Sequence, residues 1–185
     1  METSDTISKR ASLKGYISSR EIEQDKIEKI LESGRLAPSA RNNQPWKFIV
    51  IRDKEVLDNL AENAFGGPNY VVKDAPVIII ACANPKDDIV RDGREYYLFD
   101  VALAMENMIL TATDLGLVTH LMTGVDGEEI KKILGIPKDV QFVVATPLAY
   151  PKGDSYDAAA KDRLSERERK PIQEIAYSDK WANPF

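Results

Sequence analysis

Thiols and imidazoles are nearly missing from this chain, which has one cysteine, Cys82, and one histidine, His120. A lone cysteine excludes an internal disulfide. One cysteine and one histidine cannot supply the clustered nitrogen and sulfur ligands of a zinc site, so no metal is expected. No run approaches the roughly 18 apolar residues needed to cross a bilayer. Residues 1–10 are polar and lack the apolar centre of a secretory leader. Gly-rich dinucleotide and P-loop fingerprints are also missing. Basic charge is not in excess: 25 Lys and Arg stand against 30 Asp and Glu, for a net charge of -5. That balance disfavours a nucleic-acid binder relying on overall charge. The expectation is a soluble, cytoplasmic protein with neither a nucleic-acid nor a membrane partner.

What is present suits one domain spanning 1–185, since 43% of the 185 residues are hydrophobic. Ile27, Ile30 and Leu31 share a face at helical spacing and predict a helix over 21–37, which Pro38 stops. Residues 46–51 are aromatic and β-branched and read as a strand, followed by a short helix over 54–63 and a loop over 66–69. The run 76–83, with Cys82 inside it, reads as a central buried strand. Residues 97–115 form the longest helical segment, apolar nearly all round and so expected to be buried, with Gly116 as its stop. A strand over 117–122, a helix capped by Asp126 and ended by Gly135, and a strand over 141–150 complete the pattern. This alternation alone suggests a parallel α/β sheet. After Pro151 the chain becomes charge-dense, and composition leaves a solvated tail and an ordered arm equally open.

Three separated segments resemble the nitroreductase family of flavoproteins. Arg10-Ala11-Ser12-Leu13-Lys14 is similar to its N-terminal Arg-x-Ser-x-Arg/Lys element. Ala37-Pro38-Ser39-Ala40-Arg41-Asn42-Asn43-Gln44-Pro45-Trp46-Lys47-Phe48 resembles its Ala-Pro-Ser-x-x-Asn-x-Gln-Pro-Trp-x-Phe signature. Arg167-Glu168-Arg169-Lys170-Pro171-Ile172 resembles its basic C-terminal element. The resemblance replaces the parallel sheet with an α+β fold: a mainly antiparallel sheet flanked by helices, with a C-terminal arm, 151–185, exchanged across a dimer. It also implies two FMN sites at the interface of a homodimer, with NAD(P)H as electron donor.

On this resemblance Arg10, Arg167 and Arg169, assisted by Ser12, serve the FMN phosphate, for which the planar guanidinium fork is suited. Lys14 supplies positive charge at the N1–C2=O edge, where the reduced ring gathers negative charge. Pro38, Ser39, Ala40 and Asn42 lie against the flavin from the partner. Thr123 and Gly124 approach N5, although Gly124 also reads as an ordinary turn glycine. Ala11 stands where the family often has Arg or His, and Ala149 where glycine is common. Tyr70, Tyr96, Tyr97 and Phe99 read as core or as pocket aromatics, and His120 as structural. The implied activity is ping-pong reduction of a small electron-poor acceptor, a nitroaromatic or a quinone. Reductive dehalogenation, flavin fragmentation, substrate oxidation and a non-catalytic flavin-binding role stand as alternatives.

Overall fold

The computed structural model describes residues 2–153 and 155–185, apart from the side chains of Pro68 and Val71. In chain order the elements are α1 (Thr3–Lys9), α2 (Gln24–Arg35), β1 (Trp46–Ile51), α3 (Lys54–Asn63), β2 (Val77–Ala83), β3 (Val90–Arg91), β4 (Arg94–Glu95), α4 (Tyr96–Asp114), β5 (Val118–Thr119), α5 (Gly127–Leu134), β6 (Gln141–Ala149), α6 (Tyr156–Ser165) and α7 (Ile172–Ile175). The sheet order is β1-β2-β6-β5, and every neighbouring pair is antiparallel. The α+β expectation therefore holds, and the parallel sheet suggested by alternation alone does not. A helix between two strands forces them parallel only when it forms a simple crossover. Here the passage from β1 to β2 includes both α3 and a 3-10 stretch, Gly67–Asp74, where the sequence suggested only a loop.

β2 is buried along its whole length, as its apolar run predicts, and its alternate residues feed two cores. Ile78, Ile80 and Cys82 pack with Leu57, Leu60, Phe65 and Ile130 on one face. Val77, Ile79 and Ala81 pack with Ile27, Ile30, Val101, Met105 and Met108 on the other. The sheet is thus sandwiched between α2 with α4 and a second helical layer. Burying each of these aliphatic side chains contributes about 1.5–3 kcal/mol. Burial also pushes the Cys82 thiol up to about 11 despite the opposing charge of Lys131, which leaves it an inert core residue.

The expected boundaries of the principal elements are close, with four informative departures. α1 was not foreseen; Thr6 is its one buried residue. The strand expected over 117–122 is regular only at Val118–Thr119, with a separate bridge from Met122 to Ala145. His120 breaks the ladder because its N–H donates to the Thr146 hydroxyl, at 3.1 Å, instead of to a backbone carbonyl. The charged segment after Pro151 is helical over α6, where the Ser155 side chain caps the Ala158 N–H and Tyr156, Ala159 and Ala160 are buried. α4 is not enclosed all round, since Leu98 and Phe99 at its start are exposed.

α2 approaches α4 closely at Gly34. A β-carbon there would meet Met108 Sδ at 2.7 Å and Met108 Cγ at 2.8 Å. Gly34→Val is expected to lower stability by about 1–3 kcal/mol through overpacking, to be checked by urea unfolding.

Candidate functional site

Residues 10–14 lie as an extended segment beside β5. Ser12 bridges to Thr119 in parallel, and the Leu13 N–H donates to the Thr119 carbonyl at 3.1 Å. Extended backbone alternates its side chains between faces. Ala11 and Leu13 point into the core, and Arg10, Ser12 and Lys14 share the opposite face on a cleft. The Arg-x-Ser-x-Lys spacing therefore has a physical meaning: it places three polar groups along one rim. The Ala11 N–H is already committed to the Tyr156 hydroxyl at 2.9 Å, so Ala11 contributes shape more than a donor.

The facing wall is the end of α6 and the chain beyond it. Arg163 and Glu166 line it first, followed by Arg167, Glu168 and Arg169, around a volume of about 430 Å³. Arg167 donates to the Arg10 carbonyl at 3.2 Å and to the Ser8 carbonyl at 2.7 Å, fastening the two walls together. Arg169 donates to the Glu168 carbonyl at 2.6 Å. Arg10, Lys14 and Arg163 have no hydrogen-bond or ion-pair partner for their side chains among the described residues. Five basic side chains thus outnumber two acids in one cleft, the electrostatic signature of an anion site.

His120 also lines this cleft. Its ring is half-buried, and Nδ1 is buried with no hydrogen-bond partner among the described residues. Burial holds its pKa below the usual histidine value, and the charges of Lys14 and Arg163 act in the same direction. Sequence reasoning missed both His120 and Arg163. The available signals were that His120 follows the strand lying beside Arg-x-Ser-x-Lys, and that Arg163 belongs to a helix with its own buried face.

The loop carrying Pro38, Ser39, Ala40 and Asn42 does not join this cleft within one chain. It contains three non-glycine residues at positive φ: Arg41 at 52°, Asn42 at 60° and Gln44 at 51°. Such backbone is costly unless its surroundings hold it. Ser39 accepts from the Gln44 N–H at 3.0 Å, and Asp100 accepts from the Ala40 N–H at 2.7 Å. Asp100 is fully buried, and burial raises its pKa; the Ala40 N–H opposes this, and the neighbouring Asp88 raises it further. Asp88 holds Asn43 Nδ2 at 3.1 Å. One oxygen of each carboxyl, Asp100 Oδ1 and Asp88 Oδ2, is buried without a partner. Through their bonds to the Ala40 N–H and to Asn43, the two carboxyls clamp the loop from behind.

Thr123 and Gly124 also stand apart from the cleft. The Gly124 carbonyl accepts from Asn69 at 2.8 Å, and Gly124 lines a shallow hollow beside Asn63 and Asp126. Among the aromatic candidates Tyr97 is core, whereas Tyr70 and Phe99 are exposed. The larger hollow beside Tyr150 holds none of the expected site residues. Tyr150 accepts from Lys26 and donates to Glu23 at 2.5 Å, and this bond is the main cause holding the Glu23 carboxyl down at about 2.

The sequence matches the Nitroreductase family over residues 7–69 and 63–150, which include both the Arg10–Lys14 rim and the signature loop. The chain belongs to the nitroreductase family. A relative from Archaeoglobus fulgidus, named provisionally as an NADH dehydrogenase/NAD(P)H nitroreductase, is 35% identical over 160 residues, covering 84% of this chain and 89% of that one. A nitroreductase family protein from Clostridium novyi NT superposes with a TM-score of 0.77 at 33% identity, covering 100% of this chain and 97% of that one. An FMN-dependent nitroreductase from Clostridium difficile R20291 gives a TM-score of 0.71 at 25% identity, with coverages of 80% and 87%.

The Asp100–Asp88 pair in this nitroreductase fold has a testable signature. A carboxyl whose folded pKa lies above its unfolded value of about 3.9 stabilises the fold fully at low pH and loses that contribution as pH rises through the folded pKa. Asp88→Asn removes the neighbouring carboxylate that raises the Asp100 pKa and can donate to the orphaned Asp100 oxygen. It is expected to raise stability at pH 7 by about 1–3 kcal/mol, the worth of a hydrogen bond to a charged group. It should also flatten the decline in stability above pH 4, as read by urea unfolding across pH 4–8.

Proposed function

We propose that this chain binds FMN in the Arg10–Lys14 cleft and passes electrons from NAD(P)H to a small electron-poor acceptor, a nitroaromatic or a quinone, in ping-pong order. The observation carrying the reading is the set of basic side chains, three of them without partners among the described residues, converging in a member of a family that includes an FMN-dependent nitroreductase. Cations without a partner among the described residues fit a phosphate monoester, so the residues present suit the cofactor. FMN, when bound, supplies the two-electron chemistry.

The remaining work falls to the chain's own residues. Arg10, Arg163, Arg169 and Ser12 hold the phosphate. Arg167, whose donors already reach the Ser8 and Arg10 carbonyls, serves this site chiefly by fixing its walls. Lys14 places a fixed positive charge where negative charge gathers on the reduced ring. Thr123 and Gly124 are assigned to the reactive N5 side, and neither backbone N–H has a partner among the described residues. Pro38, Ser39, Ala40 and Asn42 complete the site of a second copy, and the outward exposure of Pro38 and Asn42 supports that assignment.

The homodimer rests on apolar surface left uncovered in one chain. Ile172, Ile175, Trp181 and Phe185 are exposed, the last two at 87% and 80%. An apolar arm this exposed needs another surface to cover it. β1 pairs only with β2 among the named strands and offers an open edge. The reading includes a cytoplasmic setting, supported by the buried free thiol of Cys82.

The first test is the absorbance spectrum of the purified protein, followed by anaerobic addition of each nicotinamide. A yellow protein bleached by NADH or NADPH and reoxidised by an acceptor is expected; protein that fails to take up FMN overturns the reading. Arg169→Ala is expected to weaken FMN affinity about 10- to 100-fold, the loss of one charge-assisted contact. Lys14→Ala should instead make the bound flavin harder to reduce while changing affinity less, as followed by a redox titration. Deleting 172–185 should convert a dimer to monomer in sedimentation.

A further inference from the structure

The proposed mechanism needs anchors for phosphate and a cation for the ring, but no imidazole. His120 nevertheless sits in the cleft with a buried nitrogen that nothing in the described structure satisfies. Its placement is built into the fold: the His120 N–H leaves the sheet ladder for the Thr146 hydroxyl at the point where the neighbouring rim carries Ser12 and Lys14. A bare lone pair on a buried nitrogen costs free energy, and a proton on it would need a nearby anion to offset its charge.

The charges facing the ring come from three elements. The rim segment brings Arg10 and Lys14, α6 brings Arg163 and Glu166, and the chain after α6 brings Arg167, Glu168 and Arg169. β6 brings only the uncharged Thr146. Positive charge prevails, and Arg167 is turned onto the Ser8 and Arg10 carbonyls. In the free cleft a further proton on the imidazole is therefore opposed. A phosphate monoester carries about -1.5 to -2 charges at neutral pH. Its arrival offsets most of the excess positive charge that opposes a proton on the ring.

We propose that a phosphate monoester entering this cleft draws a proton from solvent onto His120, so that FMN affinity falls as pH rises through the neutral range. This rests on the FMN reading but concerns a residue with no part in it. The sign follows from linkage. Binding favours the protonated imidazole, so the added affinity is complete below the pKa of the free protein and is lost as pH rises through the pKa of the complex. The phosphate group's own second ionisation, near pH 6, acts in the opposite direction. Above about pH 6.5 the ligand is mostly dianionic, and the histidine dominates.

A single histidine gives a single imidazole Cε1–H signal, so wild-type protein can be titrated by proton NMR without any substitution. The free protein is expected to titrate below the usual histidine value of about 6.5. Saturating FMN or inorganic phosphate should move the midpoint upward, whereas riboflavin, which lacks the phosphate, should not. Calorimetry at pH 7 in buffers of differing ionisation enthalpy should register proton uptake with FMN. Between about pH 6.5 and the midpoint of the complex, the FMN dissociation constant should rise about 3- to 10-fold per pH unit, the limit for one linked proton being tenfold. His120→Asn should bind FMN without uptake. An unmoved midpoint in a complex that forms, or equal uptake by His120→Asn, overturns the inference. Failure of FMN to bind while inorganic phosphate raises the midpoint overturns the proposed function and the FMN part of the inference, and leaves only the phosphate-linked protonation of His120 standing.

Discussion

The joint on which the site depends is the Leu13 N–H reaching the Thr119 carbonyl. It aligns residues 10–14 with the end of the sheet, and alternation along that segment then does the sorting. Leu13 and Ala11 are drawn into the core, and burial of Leu13 alone stabilises the alignment by about 1.5–3 kcal/mol. Arg10, Ser12 and Lys14 are left outward as a consequence. Shifting the segment by one residue would bury the two charges and expose the leucine, so the same apolar contacts that fold the end of the sheet fix the chemistry of the rim. Tyr156 and Arg167 fasten the second wall to this segment, through the Ala11 N–H and the Ser8 and Arg10 carbonyls.

That construction gathers like charges. Arg10, Lys14 and Arg163 repel one another and have no acid partner among the described residues, so the cleft costs stability in the absence of an anion. The fold carries this because all three groups retain contact with water or lie at the edge of the protein. The His120 ring is half-buried, and burial first, then the charges of Lys14 and Arg163, lower its pKa. A related tension lies behind the signature loop, where burial first and then the neighbouring Asp88 raise the pKa of Asp100 against the opposing Ala40 N–H.

How much of this was legible in the sequence follows from the range of each interaction. The strand at 77–83 and the helices at 24–35 and 96–114 were visible because their apolar periodicity is local. The set Arg10, Ser12 and Lys14 was visible only through its resemblance to the family's N-terminal element; that the three share one face depends on the bridge from Ser12 to Thr119, which spacing alone does not reveal. The sheet's antiparallel sense was not readable from element order; it lies in the long-range pairing of β2 with β1 and β6. Charge masked α6, because Lys161, Asp162 and Arg163 hide the short buried set of Tyr156, Ala159 and Ala160. His120 was read as structural because its significance depends on Thr146, 26 residues away, taking its N–H out of the ladder.

The signature loop shows why one chain presents an incomplete surface. Three left-handed residues bend it outward, and Asp100 and Asp88 fasten it from inside the fold, so its strain is held on one side only. Pro38 and Asn42 remain exposed on the other side, away from the cationic cleft. Strained backbone of this kind persists when the surrounding structure determines it, and here that structure fixes a loop whose outer face meets nothing in its own chain. Among the described residues the cleft gathers cations, the loop presents an exposed outer face, and the C-terminal segment presents exposed apolar residues, three features that each call for a complement. A second copy bringing its loop to this cleft and receiving the arm in return would meet the last two with one interface, leaving the phosphate to answer the first.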